Sequence, residues 1–207
     1  MKAVLLVILF TFYTTIVAAQ GSLVLIVDTS SSIDNNNLDL QFDSYAQAMD
    51  ELSILSNVNI EVILFDDQPT HISSGDRAVA AAAFRDTNKI DSSYRGLTCL
   101  GLALEYVELL IPTLPQPVVI DISGDGEANC IPSSARVTDT LDRISSDGTR
   151  VNTLLVMDPE HQNFDQAIAA YRAMRRNGGF TMVVDHFYDF EDALFRKLTI
   201  EVSELLE

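Results

Sequence analysis

The chain has 207 residues, 47% hydrophobic and 21% charged, and its 13 Lys and Arg against 30 Asp and Glu give a formal net charge of -17. That is enough apolar material for one sizeable core, which excludes a disordered or fibrous chain. So acidic a surface repels phosphate backbones and anionic lipid headgroups; it argues against nucleic acid and against direct membrane binding, and leaves room for basic partners and divalent cations.

In chain order, Lys2 precedes the apolar run from Val4 to Phe10, and the small residues Val17, Ala18 and Ala19 follow. This is the pattern of a secretory signal peptide over residues 1–19, cleaved after Ala19. An uncleaved membrane anchor is the alternative, but Thr11, Tyr13, Thr14 and Thr15 interrupt the run. Residues 20–207 then form one exported domain, periplasmic or extracellular.

Within that domain, short apolar runs alternate with segments of helical period, the pattern of a parallel sheet covered on both faces. The runs at 23–27, 60–65, 118–122, 151–156 and 180–184 read as buried strands, and the polar stretch 70–73 suits a short edge strand. Phe42, Tyr45, Met49 and Leu52 recur at helical spacing after the first strand. Further helices are predicted over 76–85, over 100–110 with a stop before Pro112, over 134–144, and over 164–175 with Gly178 and Gly179 as its C-terminal cap. Phe190, Leu194, Leu198, Val202 and Leu205 share one side of a closing helix. The fold class is α/β, doubly wound, with ligands expected beyond the carboxyl ends of the strands.

Three loops at those ends carry oxygen donors. Asp28-Thr29-Ser30-Ser31-Ser32 follows the first strand and offers one carboxylate and two alternate hydroxyls, a pattern that serves equally as a hard-oxygen metal claw or as a cap on the next helix. Gly96-Leu97-Thr98 precedes a buried helix, and Ser123-Gly124-Asp125-Gly126 follows the fourth strand. Alone, Thr98 could be a helix cap and Asp125-Gly126 a turn. Their convergence on one edge favours a cation site.

On these residues the sequence resembles the von Willebrand factor A-like domains, whose metal-ion-dependent adhesion site (MIDAS) uses Asp-x-Ser-x-Ser, a separate Thr, and a later Asp in an Asp-Gly turn. The matching positions are Asp28, Ser30, Ser32, Thr98 and Asp125. The stretch 122–126 and Arg196-Lys197-Leu198 look like an uncharacterised bacterial branch of exported A-like proteins. The resemblance implies a Rossmann-like, mostly parallel sheet with one short antiparallel edge strand. It also implies Mg²⁺ or Mn²⁺ held by the hydroxyls of Ser30, Ser32 and Thr98, with Asp28 and Asp125 acting through water. A Glu or Asp carboxylate from a partner protein would complete the coordination. Leu97 departs from the small residue expected there, and it removes no ligand atom. Cys99 beside Thr98 and Cys130 shortly after Asp125 would then share a rim, where a bridge between them or two independent buried thiols are both open.

Two other readings compete with a binding module. One is an exported structural or assembly subunit without an occupied metal site. The other, a metal-assisted hydrolase, lacks a nucleophile elbow, a phosphate loop or a dinucleotide fingerprint. His71, His161 and His186 are placed on an edge strand or in loops away from the ligand motifs, and no catalytic residue is assigned. Asp121, a charge inside an apolar run, is expected to serve structure, and Glu127 and Asn129 could shape ligand preference.

Overall fold

A computed structural model describes residues 19–86, 96–126, 129–130 and 134–206. Residues 1–18 of the expected leader, and Glu127, lie outside the described residues. The element order is β1 (Ser22–Asp28), α1 (Asn35–Glu51), β2 (Asn59–Phe65), β3 (Pro69–Gly75), α2 (Arg77–Asp86), α3 (Leu100–Leu110), β4 (Val118–Gly124), α4 (Ser134–Ser145), β5 (Arg150–Val156), α5 (Phe164–Met174), β6 (Thr181–Val184) and α6 (Phe190–Leu205).

The six strands lie in the order β3-β2-β1-β4-β5-β6. Every pairing is parallel except that of β3 with β2, so the polar edge strand is the antiparallel one. Side chains alternate across each strand. Leu23, Leu25 and Val27 of β1 therefore join one buried cluster with Tyr45 of α1, Phe84 of α2 and Leu194 of α6. Val24 and Ile26 face the other way, toward Leu104 of α3, Leu141 of α4 and Tyr171 of α5. The chain reverses direction across the sheet between β1 and β4, and a crevice opens beyond the carboxyl ends of strands at such a switch. Asp28 ends β1 and Asp125 follows β4 at that crevice.

Local chemistry sets the boundaries. Asp34 caps α1 by accepting the Asn37 N–H, and Asp76 accepts the N–H groups of Ala78 and Val79 ahead of α2. The edge strand β3, expected over 70–73, extends to seven residues, and two helix ends also differ from the sequence reading. Leu52 lies outside α1, where the backbone has turned extended. The helix α5 ends at Met174 because Arg175 is extended and Arg176 exchanges backbone hydrogen bonds with Val151. Asn177 and Gly178, with φ of 52° and 80°, make the turn that leads toward β6, so Gly178 and Gly179 serve that turn and not the helix cap.

Candidate metal-binding site

The loop after β1 is fixed before any ion is considered. Thr29 donates its N–H and its hydroxyl to the Phe65 carbonyl at the end of β2, and Ser30 donates its N–H to Asp28 Oδ1 at 2.8 Å. This turns the next residues so that Ser30 Oγ lies 3.0 Å from Ser32 Oγ. The Thr98 hydroxyl donates to Ser30 Oγ at 3.1 Å, and Ser32 Oγ donates to Asp125 Oδ1 at 2.8 Å. Through Ser30 and Ser32, the five residues singled out in the sequence stand in one connected group.

The Thr98 loop is clamped from two sides. Leu97 donates its N–H to Asp67 Oδ1 and Cys99 donates its N–H to the Asp66 carbonyl. Asn129 accepts the Thr98 N–H on its side chain at 2.8 Å and returns its own N–H to the Thr98 carbonyl at 3.2 Å. Next to this clamp, Cys99 and Cys130 form a disulfide, their Cα atoms 5.0 Å apart. The Leu97 side chain points into solvent, so its bulk leaves the Thr98 hydroxyl where the site needs it.

Beneath the hydroxyls the electrostatics are unfavourable to anions. Asp28 is fully buried, and its Oδ2 has no hydrogen-bond partner. Burial, then the charge of Asp125 and more weakly that of Asp66, push its carboxyl up to about 7 against the hydrogen bonds from Ser30. Tyr171 of α5 lies below the pair, its hydroxyl accepting the Gly126 N–H; burial and the two carboxylates hold the phenol far above its ordinary range. Gly124 makes this convergence possible, because a Cβ there would stand 2.6 Å from Tyr171 Oη and 2.8 Å from Asp28 Oδ2. Sequence gives neither residue a role of its own: a Tyr on a helix stripe reads as core, and Gly124 stands in the loop after the fourth strand without a donor to offer.

This donor set fits a hard divalent ion. An octahedral ion with oxygens at about 2.1 Å sets adjacent oxygens about 3.0 Å apart, close to the spacings from Ser30 to Ser32 and to Thr98. The orphaned Asp28 oxygen and the crowding of carboxylates call for positive charge at the same place. Among the described residues no three His, Cys, Asp or Glu side chains group as a metal centre, and three of the five residues here offer hydroxyls.

The site opens into a cleft of about 690 Å³ whose wall includes Ser32, Thr98, Asp125, His161, His186 and Tyr188. The expectation that the histidines lie away from the ligand motifs is corrected here for His161 and His186. They reach the rim because the loops after β5 and β6 end on the same side of the sheet as those after β1 and β4, which linear distance conceals. His71 is elsewhere, between the buried Glu61 and Tyr106.

Residues 68–206, more than half of the chain, match a family described as protein of unknown function, DUF1194. The chain belongs to this family. No curated protein matches it significantly. Among solved structures it is similar to proximal thread matrix protein 1 from the mussel byssus, with a TM-score of 0.69 and 18% identity over 89% of this chain and 47% of that one. It is also similar to an aerotolerance-related membrane protein from Bacteroides fragilis (0.65, 16%, 89% and 99%) and to the pilus adhesin SpaC from Lactobacillus rhamnosus GG (0.65, 12%, 93% and 31%). The chain thus spans about half the length of the mussel protein, a second structure of which has a zinc-occupied MIDAS motif. The shared fold is that of the von Willebrand A-like domains, and the DUF1194 chain has it throughout its described sheet.

Proposed function

We propose that this DUF1194 protein is an exported module that binds a partner protein through a divalent ion, and that it does not catalyse a reaction. The observation that carries the reading is the cluster of Ser30, Ser32 and Thr98 hydroxyls at ion-ligand spacing above a buried, underpartnered Asp28. These hydroxyls would hold Mg²⁺ or Mn²⁺ directly, with Asp28 and Asp125 acting through bound water. The bound ion supplies a Lewis-acidic position that a Glu or Asp carboxylate of the partner completes. Keeping the direct ligands neutral leaves that position strongly attractive to an anion, while the exposed Tyr188 and the two histidines offer a rim for the partner's neighbouring residues.

Export, with residues 1–19 as signal peptide, is part of the proposal. It is supported by the disulfide, which persists in oxidising compartments, and by the description of similar structures as byssus matrix and pilus proteins. Among the described residues no helix is long and apolar enough to cross a membrane. The hydrogen-bond chain through Thr98, Ser30, Ser32 and Asp125 is continuous within the protein itself, which favours a second reading as a structural or assembly subunit whose site works empty.

Calorimetry on the disulfide-intact protein separates the two. One saturable Mg²⁺ or Mn²⁺ site, lost in both Asp28→Ala and Thr98→Ala, supports the metal-dependent module. Absence of binding by the folded wild type sinks it and leaves the subunit reading.

A further inference from the structure

Away from the cleft, the sheet covers a group of charges that the ion site does not use. Asp121 stands in the middle of β4, a strand flanked on both sides, and faces α6. Lys197 and Glu201, one helical turn apart on α6, meet it there: Lys197 Nζ contacts Asp121 Oδ1 and lies 2.5 Å from Glu201 Oε1. All three residues are completely buried. Leu194, Leu198 and Val202 of the same helix pack around them and the Phe180 ring centroid lies 6.0 Å from Nζ, while the buried Asn152 side chain lies against Glu201 and the Tyr45 phenol lies close to both acids.

One base between two acids is an awkward permanent arrangement. Desolvating the charges costs several kcal/mol each, and Asp121 Oδ2 and Glu201 Oε2 have no hydrogen-bond partners to offset it. The same three groups are the parts of an amide-forming reaction: an amine, an acid in contact with it, and a second acid positioned to move protons. Burial and the Asp121 charge push Glu201 up to about 8, so it carries a proton at neutral pH, and burial raises Asp121 also. Burial alone would lower Lys197, but its two acidic partners, Asp121 first, outweigh it and hold the ammonium above its ordinary value, so the amine must first hand a proton to Asp121.

We propose that Lys197 and Asp121 condense into an intramolecular amide, with Glu201 as proton carrier, which joins α6 covalently to β4. A proton passes from Nζ to the Asp121 carboxylate, leaving a neutral amine against a neutral acid. Nζ then bonds to Cγ and one Cγ–O bond breaks. Glu201 takes the second proton from the nitrogen and delivers its own to the departing hydroxyl, which leaves as water. Glu201 ends as it began, and no oxidant or cofactor enters. Contact inside a rigid core supplies the proximity term, and exclusion of water suppresses hydrolysis of the product. The product is neutral where an ion pair stood.

The test is intact mass spectrometry of the reduced wild-type protein, followed by a tryptic map. The expected result is a mass lower by one water, no cleavage after Lys197, and peptide 96–136 joined to the peptide that begins at Lys197. Lys197→Met and Glu201→Gln should each restore the uncondensed mass. A wild-type chain with no water lost overturns the proposal and leaves a buried ion cluster. A water loss that maps to any other pair of residues overturns it as well. Because the wild type decides, failure of a variant to fold does not affect the outcome.

Discussion

Asp28→Asn should stabilise the metal-free protein at pH 8 while abolishing its response to Mg²⁺. Asp28 titrates at about 7 in the folded chain against an ordinary 3.8. A raised carboxyl pKa means that the folded state holds its proton more tightly. Below about pH 4 both states are protonated and nothing is lost. Between about 4 and 7 the unfolded chain ionises first and stability falls. Above 7 the full penalty, about 4 kcal/mol, is present. The amide carries no charge, and its oxygen can still accept the Ser30 N–H. Its NH₂ occupies the place of the orphaned Oδ2 and costs about 1 to 3 kcal/mol if it stays unpaired, so a gain of about 1 to 3 kcal/mol remains. Urea denaturation in chelator at pH 8 and at pH 4 measures it: the variant should be the more stable at pH 8, and at pH 4, where only the amide's own cost remains, the advantage should be lost or reversed. Adding Mg²⁺ at a hundred times its dissociation constant should then raise the wild type by about 2.7 kcal/mol and leave the variant unmoved. A variant less stable than wild type in chelator at pH 8 would refute the electrostatic account of the site.

Gly124→Ala puts a Cβ 2.6 Å from Tyr171 Oη and 2.9 Å from Asp28 Cβ, both tightly packed. It should cost about 1 to 3 kcal/mol in thermal melts and weaken Mg²⁺ in calorimetry. Asn129→Ala removes the acceptor that fixes the Thr98 N–H, so Mg²⁺ affinity should fall about tenfold or more by titration while the fold persists. Lys197→Met removes the side chain that joins α6 to Asp121, as ion pair or as amide, and leaves that carboxyl buried without its partner; it should cost about 3 to 5 kcal/mol, read as a lower melting temperature with circular dichroism unchanged at low temperature.

The legible parts of this fold were those in which a local pattern has one physical meaning. The apolar runs became buried strands because nothing but a doubly covered sheet accommodates residues such as Val24 and Leu25 buried on opposite faces. The polar stretch around His71 became the antiparallel edge for the converse reason. That Asp28, Ser30, Ser32, Thr98 and Asp125 would stand together was legible because their loops lie at one end of a parallel sheet, where distant segments meet. What stayed hidden needed the third dimension. Asp121 was visible as an anomaly, but its partners Lys197 and Glu201 lie on the last helix, far along the chain, and nothing in their spacing points to β4. Gly178 and Gly179 resemble a helix cap until Arg176 is seen bonded to Val151, which ends α5 early.

The register of β1 against β4 links the hidden and the visible parts of the site. Val27 lies opposite Ser123, which brings Asp28 against Gly124, and the missing side chain at 124 lets Asp28 and Tyr171 meet. On the other side of β4, Ser123 takes the Tyr45 hydroxyl at 2.9 Å, and Asp121 two residues earlier engages Lys197. A single strand therefore supports the candidate ion site with its last residues and anchors the closing helix with its middle. Anything that holds α6 to Asp121 also holds the strand that leads to Asp125, so the candidate binding loops are supported from inside the sheet as well as by the disulfide at their rim.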